Sequence, residues 1–290
     1  MTNTVHRIRE TYVPVSNGEL YCREIGDGAP IVVIHGGPDF DHTCLLPDMD
    51  RLADGYHLVY YDQHLRGRSR GTLRLDDIAI ERYVDDLDRV RRHVGAETIA
   101  LLGHSWGGFV AMHYALAHPA NVSRMILLNT ASASNADLEA MKVVRARKQA
   151  PHRLRLDQIA SSVDFEQGDP LLVAEYYRID FGTTFKRAAD ARRLNLSWTR
   201  EDVLRGRAIE DRLTQGLFWQ KGYTILPALA ALRVPTLVIH GEADFFPLAS
   251  SAHIAEAIPG ARLVTIPDSG HFSYIDAPAD VRQAIDAFMR

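Results

Sequence analysis

Short, continuous apolar runs separated by helical patterns constrain this chain more than any other feature. Ile31-Val32-Val33-Ile34, Leu58-Val59-Tyr60-Tyr61 after His57, Ile99-Ala100-Leu101-Leu102, and Leu237-Val238-Ile239 after Thr236 show no polar alternation. A strand with one wet face alternates; these runs have none, so they belong in a sheet covered on both faces. Ile80, Val84, Leu87, Val90 and Val94 recur at a spacing near that of an α-helix. Leu45–Leu52, Trp106–Ala117, Ser250–Ala257 and Pro278–Met289 also read as helical. On the helix over Ile80–Val94, Asp85, Asp86 and Asp88 precede Arg91 and Arg92, which predicts a solvated charged face. Thr11–Val15 and Leu20–Ile25 form strands around the turn Ser16-Asn17-Gly18. Arg124–Leu128 and Arg262–Ile266 are further strands. Strand–helix alternation of this kind predicts an α/β fold: a mostly parallel central sheet with helices on both faces.

The alternation stops between about Ala131 and Gly216, where no buried strand is legible. That stretch holds helical and irregular segments with Tyr176, Tyr177, Phe181, Phe185 and Trp198. The expected organisation is a core of residues 1–130 and 217–290, interrupted by a helical cap over 131–216. A chain of 290 residues can bury such a core without disulfides or metals. Residues 142–212 carry 15 Lys and Arg against 11 Asp and Glu, whereas the whole chain has a formal charge of −4. The overall balance gives no footprint for nucleic acid, and the basic excess falls on the cap. No apolar run reaches the roughly 18 residues of a membrane span. The start, Met1 to Arg7, lacks the apolar stretch of a signal peptide, so a cytoplasmic location is expected. Cys22 and Cys44 cannot form a disulfide framework. The 13 histidines show no close metal-ligand spacing; His113 and His118, five apart, fall on different helix faces. The expected partner is a small molecule or short peptide, with no metal and no cofactor; oligomeric state is not legible.

Gly103-His104-Ser105-Trp106-Gly107 is a G-x-S-x-G motif between a predicted strand and a predicted helix. A sharp strand-to-helix turn exposes the serine hydroxyl, and the glycines two residues to either side, Gly103 and Gly107, remove Cβ atoms that would collide. The helix start supplies N–H groups and partial positive charge for a developing oxyanion. Ser105 is therefore the candidate nucleophile.

A serine hydroxyl needs a base, and the base needs orienting. In this arrangement the acid and then the histidine follow the serine along the chain. Asp244 comes after the strand Thr236–Ile239, and His271 after the strand ending at Ile266; both fall on loops at carboxyl ends of strands, where open α/β sheets assemble their sites. Glu242 is a rival acid that more simply caps its loop, and Asp268 reads as a turn residue. His240 reads as a packing histidine and His104 as support beneath the turn. His35-Gly36-Gly37-Pro38 follows the strand Ile31–Ile34, and its glycines allow close backbone approach. The Gly37 and Trp106 amides are the candidate oxyanion hole, a feature in which one donor is typically worth about 10²–10³ in rate.

Taken together, His35–Pro38, Tyr61-Asp62-Gln63, Gly67-Arg68-Ser69, Gly103–Gly108, Gly241–Asp244 and Gly270-His271 resemble the α/β-hydrolase superfamily, and within it the proline iminopeptidase family. The resemblance covers about residues 10–130 and 225–290. It implies the α/β-hydrolase fold, with a cap closing over a Ser105–His271–Asp244 triad. Asp39 stands where the family usually has another glycine, His64 and Leu65 follow Gln63, and no Trp-Glu pair occurs in the cap. The expected activity is a cofactor-independent serine hydrolase that cleaves a small ester, lactone or amide through an acyl-enzyme. A proline iminopeptidase-like aminopeptidase is the alternative in the same class. A ligand sensor on a hydrolase scaffold is the alternative of another class.

Overall fold

Pairing of the apolar runs builds one nine-stranded sheet. The structure is a computed structural model that describes residues 6–216 and 220–290; residues 1–5 and 217–219 lie outside the described residues. The strands are β1 (Arg9–Val15), β2 (Gly18–Ile25), β3 (Pro30–Ile34), β4 (His57–Tyr61), β5 (Arg70–Gly71), β6 (Ile99–His104), β7 (Val122–Leu128), β8 (Thr236–Gly241) and β9 (Arg262–Ile266). Their spatial order is β1-β2-β4-β3-β6-β7-β8-β9, with β5 on the flank of β2. β1 and β2 form an antiparallel hairpin closing at Val15 and Gly18. The pairs β3–β4, β3–β6, β6–β7, β7–β8 and β8–β9 are all parallel. The apolar runs occupy this parallel part, and Ile31–Ile34, Leu58–Tyr60, Leu101 and Val238 are almost wholly buried.

Helices α1 (Ile80–Val94) and α2 (Trp106–Ala117) follow β4 and β6. The α1 stripe of Tyr83, Val84, Leu87 and Val90 is buried; burying each such side chain is worth about 1.5–3 kcal/mol. Gly95, left-handed at φ 72°, ends α1. The expected solvated face holds for Asp85 and Arg92. Asp86 and Asp88 are buried: Asp86 Oδ1 lies 3.0 Å from Arg82 Nε, and Asp88 accepts from Arg91 Nε at 2.9 Å and Tyr114 at 3.1 Å. The charges point into the seam between α1 and α2 because arginine and tyrosine partners wait there. Leu45–Leu52 also departs from expectation. It forms 3₁₀ turns at His42–Leu45 and Met49–Asp54 rather than one helix; Pro47 between them has no N–H to continue a ladder.

Between β7 and β8 come α3 (Asn135–Gln149), α4 (Arg153–Ala160), α5 (Val163–Glu166), α6 (Pro170–Gly182), α7 (Arg200–Thr214) and α8 (Leu226–Leu229). Local chemistry starts several of them. Ser134 and Asp169 accept N-terminal amides of α3 and α6, and Thr199 with Asp202 makes a reciprocal capping box on α7. After β8, α9 (Leu248–Ala257), α10 (Ser273–Asp276) and α11 (Pro278–Met289) complete the chain. Helices lie on both sides of the sheet. No helix among the described residues is long and apolar enough to cross a membrane. Both cysteines are buried and unbridged.

Candidate active site

The turn from β6 into α2 puts Ser105 at φ 53°, ψ −121°, a conformation that L-residues rarely adopt. Backbone held in such a region persists only where its surroundings fix it. Here Ser105 N–H donates to Leu128 O at 3.2 Å, and its carbonyl accepts from Gly108 and Ala131 at 2.9 Å each. Gly107 is required by close approach: any Cβ there would run into the Ile34 carbonyl of β3. Ser105 remains partly exposed to a cavity of about 130 Å³, shared with Gly37, Trp106, His271 and Phe245.

Asp244 lies after β8 and His271 after β9, both buried. His271 Nδ1 lies 3.0 and 3.1 Å from the two Asp244 oxygens. Burial opposes charge on Asp244, but the His271 charge and hydrogen bond, with help from Asn129, outweigh it and hold the carboxyl below its usual range. Aromatic rings enclose the imidazole, with Phe245 at 4.2 Å and Phe272 edge-on at 5.1 Å between centroids. Among the described residues the Ser105 hydroxyl makes no hydrogen bond to His271, although both line the cavity.

The rival residues go elsewhere. Glu242 is exposed on its loop. Asp268 is a left-handed turn residue at φ 52° and pairs with Lys186 Nζ at 3.2 Å. His240 Nδ1 lies 2.9 Å from Ser251 Oγ. His104 packs tilted against His271 at 5.0 Å between centroids, and its Nε2 donates to the His271 carbonyl at 2.9 Å. Burial, then the neighbouring His271, pushes the His104 imidazole down to about 3, so it stays neutral.

The loop His35–Pro38 lies at the end of β3, and Gly37 turns at φ 123°. Gln63, from the Tyr61-Asp62-Gln63 segment, ties this loop to α2. Its N–H donates to His35 Nε2 at 3.0 Å, and its side chain donates to His35 O at 2.7 Å. Its Oε1 accepts the Trp106 indole N–H at 3.0 Å. With Nε2 accepting, His35 Nδ1 carries the proton and donates to Gly36 O at 2.7 Å. Burial favours that neutral ring. Asp62 is filled by the His42 amide and Nδ1 and by the Arg68 amide, at 2.7–2.9 Å. Asp41, His42 and Asp62 have ligand atoms within 4.8 Å of one another. The Asp62 oxygens already accept from His42 and Arg68, and Asp41 Oδ1 accepts from Thr43, so the cluster reads as a hydrogen-bond hub.

Residues 29–278 match the family described as the alpha/beta hydrolase fold. The chain belongs to the α/β-hydrolase family. Proline iminopeptidase from Saccharolobus solfataricus is 25% identical over 276 residues, covering 93% of this hydrolase and 87% of the relative. Proline iminopeptidase from Lactobacillus delbrueckii subsp. lactis is 35% identical over 156 residues, about half of each chain (50% and 51%). The solved proline iminopeptidase of Mycobacterium smegmatis superposes with a TM-score of 0.73 at 22% identity, covering 97% of both chains. An esterase from Rhodococcus superposes with a TM-score of 0.71 at 23% identity, covering 97% of this chain and 98% of its own.

Several site features of this hydrolase escape the sequence. Asn129, left-handed at φ 45° after β7, donates to Asp244 Oδ2 at 2.9 Å and to Gly270 O at 3.0 Å. Ser273 Oγ donates to Asn129 Oδ1 at 2.5 Å. Asn129 therefore joins the acid loop, the histidine loop and α10. The cavity charge also differs from the basic balance of residues 142–212. Arg145 reaches the cavity but is bound to the buried Asp180, which also accepts from Gln149 at 2.6 Å. The other charged groups lining the cavity are the carboxylates of Asp39 and Glu210. Tyr177 O–H donates to Asp39 Oδ2 at 2.5 Å. Burial, then the Asp39 charge, pushes Glu210 up to about 7.

Proposed function

We propose that this protein is a cofactor-independent serine hydrolase acting through an acyl-enzyme, with residues 131–216 as a cap over the site. Ser105 Oγ attacks the acyl carbon, and His271 Nε2 takes its proton and returns it to the leaving group. Asp244 orients the imidazole and stabilises its charged form. The Gly37 and Trp106 amides receive the oxyanion. The observation that carries this reading is the strained Ser105 on the β6–α2 turn, in one cavity with a histidine whose far nitrogen is held by a buried carboxylate. Small esters, lactones or amides fit a cavity of this size. A panel of p-nitrophenyl esters, lactones and amides tests it. Ser105→Ala should abolish turnover of every substrate that the wild type cleaves. Full turnover in that variant would remove Ser105 from the mechanism.

A second reading is aminopeptidase action of the proline iminopeptidase kind, and Asp39 and Glu210 favour it. Two carboxylates beside the nucleophile suit a substrate with a protonated amine near its acyl carbon. Asp39 stands at the departure from the family's usual glycine, so the carboxylate would come from the oxyanion loop itself. Comparing proline p-nitroanilide with its N-acetyl derivative separates the readings. Preference for the free amine supports this one, and indifference supports the simple ester or lactone substrate.

A further inference from the structure

A second cavity, about 220 Å³, lies on the far side of Asp39, Tyr177 and Glu210 from the catalytic one. Nothing in the proposed hydrolysis uses it. Phe165, Tyr176 and Trp198 form aromatic walls, and Arg66 and Arg207 line it as well. A dry cavity of roughly 150 Å³ holds a benzene ring, so this one has room for a ring with a small substituent.

Its charge is unusual. Arg66 is 1% exposed, and its donors go to the carbonyls of Asp39, Phe40 and Asp202. No carboxylate pairs with it among the described residues. Arg207 Nη1 donates to the carbonyls of Phe165 at 2.8 Å and Glu166 at 3.1 Å, while its guanidinium lies 4.5 Å over the Phe165 ring. Its Nη2 is buried and has no partner. Arg207 is half-buried, but a buried guanidinium nitrogen without a partner is costly, and a planar carboxylate is the group that matches a guanidinium fork. The acids on the shared wall do not fill this role. Asp39 is held by Tyr177, and Glu210, pushed up to about 7, is only partly ionised at neutral pH.

We propose that this cavity is a binding site for a small aromatic carboxylate, with the ring among Phe165, Tyr176 and Trp198 and the carboxylate on Arg207 Nη2. Arg66 adds a second positive charge without giving up its carbonyl bonds. The site is separate from Ser105 and does not depend on hydrolysis.

Trp198 in the wall makes tryptophan fluorescence a direct readout. Phenylacetate and its neutral isostere phenylacetamide are titrated into wild type, Ser105→Ala, Arg207→Gln and Trp198→Phe. A charged hydrogen bond is worth roughly ten- to hundredfold in affinity. Wild type and Ser105→Ala should prefer phenylacetate by about that factor, and Arg207→Gln should lose the preference. Trp198→Phe should lose most of the signal, with calorimetry still detecting binding. Should Arg207→Gln fail to fold, judged by its melting curve, Arg207→Lys keeps the charge without the fork and should show a reduced preference. Equal affinity for the two probes in wild type, or an undiminished preference in a folded Arg207 variant, overturns the proposal. Unchanged phenylacetate binding in Ser105→Ala keeps this test independent of the catalytic assignment.

Discussion

Asn129→Ala should be among the most damaging single changes outside the proposed triad. The substitution removes the bond to ionised Asp244 at 2.9 Å, the bond to Gly270 O at 3.0 Å, and the acceptor of Ser273 Oγ. A hydrogen bond to a charged group is worth about 1.5–3 kcal/mol, and each neutral one about 1 kcal/mol. Alanine at φ 45° adds about 1–2 kcal/mol of backbone strain. The expected loss is therefore roughly 4.5–7 kcal/mol, less what relaxation and water recover. Urea unfolding midpoints measure it. Asn129→Gly sheds the same bonds without the strain, so it should be the milder variant by about 1–2 kcal/mol. The pH dependence has a definite sign. Asp244 is held below its usual range, so its ionised form stabilises the fold above the unfolded value near 4, and that contribution is lost as pH falls through the native value. Without Asn129 the native value rises, so the deficit of the variant should shrink below about pH 4. In turnover, a looser His271 should lower kcat by about 10- to 100-fold with little change in KM. A stability change within about 0.5 kcal/mol, or a deficit that grows on acidification, would refute this account of Asn129.

Three further outcomes follow from the same geometry. Asp244→Asn should cut kcat by orders of magnitude, about 10⁴ in the comparable protease case, while Glu242→Gln on the exposed loop should stay near wild type in steady-state assays. Gly206→Ala puts a Cβ 3.0 Å from Arg66 Nη1 and 3.1 Å from its Cζ; overpacking of this kind costs about 1–3 kcal/mol, read in thermal melts. Glu210 is pushed up to about 7, so the folded state binds an extra proton between its ordinary value and 7, and stability falls as pH rises through that window. Glu210→Gln should flatten that part of the stability curve, and a slope equal to wild type would show that Glu210 does not cause it.

The parallel sheet and the meeting of Ser105, His271 and Asp244 at one end of it are legible in the sequence because each rests on local pattern. β4, α1, α2, β9 and α11 run over the residues their periodicity predicts. Chain order admits both Asp244 and Asp268, and turn chemistry rather than order sets Asp268 aside. The missing parts depend on strand order and on how the helices between β7 and β8 pack over the strand ends. Asn129 reaches Asp244 only because β7 and β8 are neighbours, across 115 residues of sequence. Tyr177 meets Asp39 across 138 residues, and Arg66 meets Asp202 across 136. No periodicity encodes such meetings. Charge counting is uninformative about the cavity for a related reason. The surplus of arginine over residues 142–212 is a property of the segment and not of the cavity, where Arg145 is paired with Asp180 and Glu210 from the same segment faces inward with Asp39. The buried Asp86 and Asp88 carry the same lesson for α1, since a charged helix position is solvated only when no partner waits beneath it.

The central claim is that Ser105 is a nucleophile activated by His271. Intact-mass and peptide mapping after fluorophosphonate treatment tests it most directly. The account predicts one adduct per chain, located on Ser105, formed far more slowly in His271→Ala and absent in Ser105→Ala. An adduct on another residue, or labelling of Ser105 at an unchanged rate without His271, would contradict it.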